Sequence, residues 1–151
     1  MKGRKNMIAL GCDHAACGLK NAVKAYLDEK NIPYIDCGTE EGVPCDYPDM
    51  AEKVCLKITS GEAEKGILLC GTGIGMSMAA NKIKGIRAAC ASDCFSVKYT
   101  RLHNDCNVLC MGERVVGYGL ALELVELFLN TEFEGGRHQR RVDLITALEQ
   151  K

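Results

Sequence analysis

Hydrophobic and polar positions alternate along the chain in blocks that predict five buried strands separated by helices. The strand blocks are short, continuous apolar runs, which are typical of strands covered on both faces of a parallel sheet. The blocks between them carry apolar residues three and four positions apart, the spacing of an amphipathic helix. The predicted strands cover residues 7–12, 33–37, 67–70, 86–91 and 107–111.

The order of these blocks predicts a single domain of the α/β class over residues 1–151. Strands that alternate with helices form a parallel sheet with helices on both faces, because the crossovers are right-handed. We expect the strand order 2-1-3-4-5, in which strands one and three are neighbours and a crevice opens at their carboxyl ends. Six helices are predicted at residues 19–27, 50–58, 76–80, 93–102, 120–129 and 142–148, with Ser92 or Asp93 as the cap of the fourth.

The third strand ends at Cys70 and runs directly into a glycine-rich turn at residues 71–75. The residues that follow favour helix, so we expect the amides of Gly71, Gly73 and Gly75 near a helix N-terminus. Unpaired amides and the helix dipole attract negative charge there. A thiolate in this place can act as a base or as a nucleophile. The alternative is a buried cysteine with a purely structural role.

The glycine turn differs from three known types of phosphate-binding loop. Its GxGxG spacing is not the GxGxxG of dinucleotide-binding domains, and it lacks the lysine of a Walker loop. A phosphatase-type loop would need an arginine where Met76 stands. The turn therefore does not identify a nucleotide site.

Polar side chains also follow the first strand, where Asp13 and His14 come directly after the apolar run. In the expected strand order they face Cys70 across the crevice. A carboxylate, an imidazole, a thiol and a ring of amides suit proton transfer with stabilisation of an oxyanion. The alternatives are that Asp13 only caps a helix and that His14 is a surface residue.

Composition narrows the classes of function. The chain has 151 residues, a net charge of -1 and 5% aromatic residues with no basic block, which argues against nucleic acid as a partner. No apolar run approaches the ~20 residues of a membrane helix, and the start of the chain does not predict an export signal. The ten cysteines lie largely in apolar runs without a CxxC pair, so we expect a soluble cytoplasmic protein without a metal.

Two features near the end of the chain predict a second copy of the protein. Residues 120–129 have only Glu123 and Glu126 as polar members, so we expect this helix in the interface of a twofold dimer; the alternative is a central core helix. Arg137 and Arg141 are four residues apart on one helix face, an unfavourable pair that a bound anion would relieve. The alternative for the arginines is a solvated basic face.

His103 and Asn104 precede the fifth strand in a predicted loop at the edge of the sheet opposite the crevice. Within one copy of the chain they would lie far from Cys70. A dimer could bring them to the crevice of the other copy.

Six segments of the chain, read together, resemble a known family. They are GCDHAACGLK, DYPD, CGTGIGMSMAANK, IRAA, HNDCNVLCMGERVVG and EGGRHQRRV, and they span almost the whole length. The family is that of the type B ribose-5-phosphate isomerases, which includes the galactose-6-phosphate isomerase subunits. The resemblance implies a Rossmann-like αβα sandwich, active sites built across the interface of a homodimer or a dimer of dimers, and no metal or organic cofactor.

The resemblance also implies a reaction. Ribose 5-phosphate and ribulose 5-phosphate would be interconverted through a cis-enediolate, in the non-oxidative pentose phosphate pathway. Cys70 would be the base, and Thr72 would assist proton transfer on the oxygens. His103 of the second copy would open the furanose ring, with Asn104 beside it.

The remaining site residues implied by the resemblance bind the substrate. The amides of Gly71, Gly73 and Gly75 would hold the enediolate. Asp13 and Tyr47 would contact the sugar hydroxyls. The residues implied to bind the phosphate are His14, Arg114, Arg137 and Arg141.

The chain departs from the family pattern at Ala16 and Cys17, where a glycine and an aromatic residue are common. One branch of the family has serine in place of the cysteine and a glutamate after the glycine turn, whereas Cys70 and Met76 match the cysteine branch. Three alternatives stay open: an isomerase of allose 6-phosphate or galactose 6-phosphate, a flavodoxin-like binding module, and a hydrolase with a thiol nucleophile.

Overall fold

Five parallel strands form the middle layer of the computed structural model, which describes residues 6–151. Residues 1–5, which contributed to the expectation that there is no export signal, lie outside the described residues. All five predicted strands are confirmed, with ends shifted by at most two residues. They are β1 (Ile8–Cys12), β2 (Tyr34–Asp36), β3 (Lys65–Cys70), β4 (Ala88–Cys90) and β5 (Val108–Gly112).

The last two strands exchange the places predicted for them, so the predicted order 2-1-3-4-5 is wrong and the order is 2-1-3-5-4. β5 pairs with β3, and Cys70 lies opposite Gly112. All of β5 is buried, whereas β4 has only three residues, all partly or fully exposed. The inner places of a parallel sheet are covered on both faces, so they suit the longer and more apolar strand, and β4 takes the edge.

Five of the six helices cover the two faces of the sheet, which separates the core into two clusters. Residues of α1, α4 and α5 pack on one face, those of α2 and α3 pack on the other, and α6 packs against α4. Within residues 6–151, no helix is long and apolar enough to cross a membrane. The helices are α1 (Cys17–Glu29), α2 (Tyr47–Thr59), α3 (Ile74–Ala80), α4 (Cys94–Asn104), α5 (Tyr118–Asn130) and α6 (Arg137–Leu148).

Helix α5 is not the central core helix that was considered as an alternative. One face is fully buried, through Ala121, Leu124, Val125 and Phe128. Its other leucines are half-buried against the core, except Leu120, which is exposed. The described residues thus cover one side of α5 and leave the other partly open, and its place in a subunit interface stays a prediction.

The cysteines are all free thiols, but their environments differ. Cys55 and Cys110 are buried in the core cluster that the sheet forms with α2 and α3, as expected of small hydrophobic residues. Burial raises the pKa of Cys55 to about 12, so its thiol stays protonated. Cys90 differs from the expectation, because it lies exposed at the end of the edge strand β4.

A buried ionic network ties α1 to the end of β2. Lys20 is 1% exposed, and its Nζ donates to Asp36 Oδ1 at 3.1 Å and to the Thr39 carbonyl oxygen at 2.6 Å. Lys24 Nζ donates to Asp36 Oδ2 at 2.9 Å, and the Gly38 amide donates to Oδ1 at 2.9 Å. Burial alone would raise the pKa of Asp36, but these hydrogen bonds outweigh it and lower the pKa below the usual 3.8.

We expect Asp36→Asn to lower the free energy of unfolding by about 3 kcal/mol at pH 7, because it leaves the Lys20 ammonium buried without its carboxylate. A carboxyl with a depressed folded pKa stabilises the fold above its unfolded pKa, and this contribution is lost as pH falls through the folded pKa. The wild type should therefore lose more stability than the variant as pH falls below 3.8. Urea unfolding at several pH values measures both effects.

The matched control is Glu62→Gln. Glu62 Oε2 pairs with Lys57 Nζ at 2.9 Å, but both side chains are more than a third exposed. Water screens such pairs, so this change should cost less than about 1 kcal/mol. Equal losses in the two variants would contradict the role assigned to Asp36.

Candidate active site

The carboxyl ends of β1, β3 and β5 lie side by side and carry the crevice predicted from the sequence. Past the strand ends, the Asp13 amide donates to the Leu69 carbonyl oxygen at 3.1 Å, and the Glu113 amide donates to the Cys70 carbonyl oxygen at 2.9 Å. The segments that follow β1 and β5 are thereby held on either side of Cys70. The crevice is lined by Asp13, Tyr47, Cys70, Gly71, Thr72, Ile74, Gly75 and Met78.

Cys70 lies at the floor of this crevice with its side chain 5% exposed. Its sulfur accepts a hydrogen bond from the Gly73 amide at 3.0 Å. The resemblance implied that this amide would hold the enediolate, whereas in the structure it contacts the thiol. Helix α3 begins at Ile74, earlier than predicted, so the sulfur faces the start of a helix.

Two glycines allow the turn to fold so closely over the sheet. Gly73 has φ 82°, and a Cβ there would lie 2.9 Å from the Met111 carbonyl carbon. A Cβ on Gly112 would lie 2.5 Å from the Thr72 backbone. Gly112 is a site residue that was not predicted, although a glycine that ends a buried apolar strand is a signal of close backbone approach.

Tyr47 and Thr72 stand on the walls of the crevice. Tyr47 begins α2, and its ring lies over Gly75, where a Cβ would approach the ring to 2.8 Å. The exposed Thr72 hydroxyl oxygen accepts a hydrogen bond from the Ile74 amide at 3.2 Å. Both hydroxyl-bearing side chains therefore line the crevice that contains Cys70.

Asp13 and His14 form the turn between β1 and α1. Asp13 Oδ1 accepts a hydrogen bond from the Ala15 amide at 2.9 Å, and the cap of α1 is Ala16, so the view of Asp13 as the helix cap is wrong. Asp13 is buried along the crevice, whereas His14 is exposed. Ala16 and Cys17 lie beneath this turn, since the Cys17 sulfur is 3.7 Å from the Asp13 carbonyl oxygen. The two positions at which the chain departs from the family pattern therefore pack beneath the turn that carries Asp13.

Arg114 lies beside the glycine turn. Its amide donates to the Gly71 carbonyl oxygen at 3.1 Å, and a Cβ on Gly71 would lie 3.6 Å from its guanidinium. The side chain is exposed and has no carboxylate within 4 Å among residues 6–151. An unpaired arginine at this place is available to an anion.

The other predicted site residues lie away from the crevice of their own chain. His103 and Asn104 form the last turn of α4, so the prediction of a loop is wrong, and the helix end leads into the amino edge of β5. Arg137 and Arg141 lie on the first two turns of α6, which packs against α4. None of the four lines the crevice around Cys70.

His103, Glu134 and His138 form a cluster of metal-ligand type, with their ligand atoms within 4.8 Å of one another. The two imidazoles stack with centroids 4.0 Å apart and planes 12° apart. Nearly parallel rings direct their lone pairs side by side, whereas ligands of one ion converge on a point. The arrangement therefore suits a stacked pair of rings better than a metal site.

Comparison with known proteins decides the class of this chain. Residues 8–145 match the family described as Ribose/Galactose Isomerase. The chain belongs to this family. It is 49% identical to ribose-5-phosphate isomerase B of Escherichia coli (strain K12), over 95% of this chain and 97% of that protein. It is 36% identical to the galactose-6-phosphate isomerase subunit LacB of Clostridium acetobutylicum, over 90% of this chain and 79% of that protein.

The fold agrees with the family. The solved structure of Clostridium thermocellum ribose-5-phosphate isomerase B matches this chain with a TM-score of 0.94 and 44% identity, over 95% of this chain and 97% of that one. The Rossmann-like sandwich is thus confirmed, apart from the order of the last two strands. As a member of the family the chain is an aldose–ketose isomerase, which excludes the flavodoxin-like and hydrolase alternatives.

Proposed function

We propose that the protein interconverts ribose 5-phosphate and ribulose 5-phosphate through a cis-enediolate, with Cys70 as the base. One observation carries the proposal: the Cys70 sulfur accepts a backbone hydrogen bond on the floor of the crevice that also contains Asp13, Tyr47 and Thr72. The similarity to the E. coli protein, named for this substrate, supports the choice of sugar. The pathway it would serve is the non-oxidative pentose phosphate pathway.

The reaction requires removal of a proton from the carbon next to a carbonyl. The carbanion is stable only when fixed donors stabilise the enediolate oxygen. Because the Gly73 amide is engaged by the sulfur, this role falls to the amides of Gly71 and Gly75, the latter in the unpaired first turn of α3. The Cys70 thiolate takes the proton from C2 and returns it to C1, and Thr72 moves protons on the oxygens.

Two side chains that line the crevice recognise the sugar hydroxyls. Asp13 offers a carboxylate that is buried and held by the Ala15 amide, so it is oriented before substrate arrives. Tyr47 offers a phenol in the same crevice. Oriented groups of this kind align the substrate carbon with the base.

A second copy of the chain completes the site in this proposal. Arg114, Arg137 and Arg141 have no carboxylate within 4 Å among residues 6–151, so they are free to bind a phosphate together with His14. Arg114 lies at the crevice, whereas Arg137 and Arg141 lie at the far edge of the same chain. A twofold homodimer, alone or paired as a dimer of dimers, would bring the two groups together.

Exposed apolar side chains support the same assembly. Ile145 and Leu148 on α6 are 46% and 62% exposed, and Phe95 on α4 is 71% exposed. Large apolar groups grouped on neighbouring helices are typical of an interface. We assign this surface, with the open side of α5, to the dimer contact, and we place the enzyme in the cytoplasm, where its ten thiols would stay reduced.

The substrate is tested by comparing kcat/KM for ribose 5-phosphate, allose 6-phosphate and galactose 6-phosphate in coupled assays. We expect at least a tenfold preference for the pentose, since a longer sugar would shift its C2 away from Cys70 once the phosphate is bound, and such misplacement costs about tenfold to a hundredfold. The similarity to LacB makes a hexose 6-phosphate the second candidate. A higher kcat/KM for either hexose would replace the pentose as the substrate.

A further inference from the structure

The imidazole of His103 contacts two other rings. Tyr99, one turn earlier on α4, meets it edge-on, with centroids 5.1 Å apart and planes 72° apart. His138, from the first turn of α6, stacks on it with centroids 4.0 Å apart and planes 12° apart. One stacked ring and one edge-on ring restrict the plane of the imidazole, so its orientation depends on contacts outside the crevice.

The segment that carries His138 is tied to the end of α4. The buried Arg101 donates from Nε to the Thr131 carbonyl oxygen at 3.1 Å and from a guanidinium nitrogen to the Cys106 carbonyl oxygen at 2.6 Å. The Glu134 amide donates to the Leu102 carbonyl oxygen at 3.1 Å. These bonds hold the backbone before α6 against the turn that contains His103.

His138 itself has little freedom. It is 7% exposed, and its Nε2 lies 3.5 Å from Glu134 Oε2. Burial lowers the pKa of His138, and the charges of His103, Arg137 and Arg141 lower it further, against the opposite effect of Glu134. At neutral pH this ring is therefore uncharged.

We propose that His138, together with Tyr99, is a positioning residue that holds the His103 imidazole in the orientation needed to open the sugar ring in the second copy's crevice. This inference rests on the proposed function, in which His103 acts at ring opening. A catalytic group displaced by about 1 Å can lose about a hundredfold in rate, so the orientation of this ring has a large effect. His138 acts through His103 and needs no contact with substrate.

Ring opening and proton transfer can be measured separately. Ribulose 5-phosphate has its carbonyl at C2 and its phosphate on O5, so it has no furanose form. Exchange of its C1 hydrogen with deuterated solvent therefore reports the Cys70 step without ring opening. Isomerisation of ribose 5-phosphate, which is mostly cyclic, requires both steps.

We expect His138→Asn to lower kcat/KM for ribose 5-phosphate at least about tenfold while C1 exchange stays within about twofold of wild type. His138→Phe, which keeps a neutral ring at the same place, should recover most of the loss. Tyr99→Leu should show the same selective loss, and it serves as the second test if the His138 variants fold poorly. Melting temperatures and light scattering check that fold and assembly are intact.

Three results would overturn the inference. They are an equal loss in both assays, no loss in either assay, or no recovery with phenylalanine. Wild-type protein that isomerises hexose phosphates but not ribose 5-phosphate would refute the proposed substrate. If wild-type protein acts on ribose 5-phosphate and the His138 and Tyr99 variants lose both activities together, only the positioning role fails.

Discussion

Replacing Cys70 with alanine is expected to lower kcat for isomerisation by about a hundredfold to ten-thousandfold, the range typical of a general base. The physical reason is that, among residues 6–151, Cys70 supplies the only thiol that lines the crevice. Asp13 lines the same crevice, but its Oδ1 is engaged by the Ala15 amide. KM should change little, because the arginines that bind the phosphate are unaffected. Steady-state kinetics with ribose 5-phosphate measures both constants.

The matched control is Cys55→Ala. Cys55 is a buried thiol in the same core cluster as Cys70, but it lies on α2 and does not line the crevice. Its kcat should stay within about threefold of wild type, because a protonated buried thiol contributes only packing. If Cys70→Ala kept more than about a tenth of wild-type turnover, equivalent to a barrier change under ~1.4 kcal/mol, the assignment of the base would be wrong.

The parts of the fold predicted best were those that depend on local pattern. The central strands β1, β3 and β5 are continuous apolar runs, and Asp93 accepts a hydrogen bond from the Ser96 amide as a helix cap should. The order of β4 and β5 could not be obtained in this way. The order depends on which of the two strands is stabilised more by burial on both faces of the sheet. The order of the strands along the chain gives no information about this difference.

The candidate site shows the same difference between features that follow from local sequence pattern and features that depend on tertiary contacts. Cys70, Thr72 and Asp13 were predicted to meet because strand ends in a parallel sheet share one edge, and the crevice brings them together. The stack of His103 on His138 joins two helices that are distant in sequence, so no spacing rule indicates it. Gly112 was missed for a similar reason, since its requirement arises from contact with the Thr72 backbone.

Two inactive variants are expected to restore activity when they share a dimer. Cys70 and His103 lie at opposite edges of one chain, so in the proposed homodimer each site takes the thiol from one copy and the imidazole from the other. A mixed dimer of Cys70→Ala and His103→Ala chains then has one site with both residues intact and one site with neither. Co-expression with two different tags, followed by two affinity steps, isolates the mixed dimer for assay. One of its two sites is intact, so about half of the wild-type activity per dimer should return.

The control combines Cys70→Ala with Asp13→Ala. Both residues line the same crevice of one chain, so exchange of subunits cannot bring an intact pair together. The activity of this mixture should therefore stay near the mean activity of the two single variants. Recovery in the first mixture and none in the second would distinguish complementation from a general stabilising effect of mixing. If the Cys70 and His103 variants together gave no more activity than the mean of the two alone, the site would have to be complete within one chain. The far-edge residues His103, Arg137 and Arg141 would then need a different role.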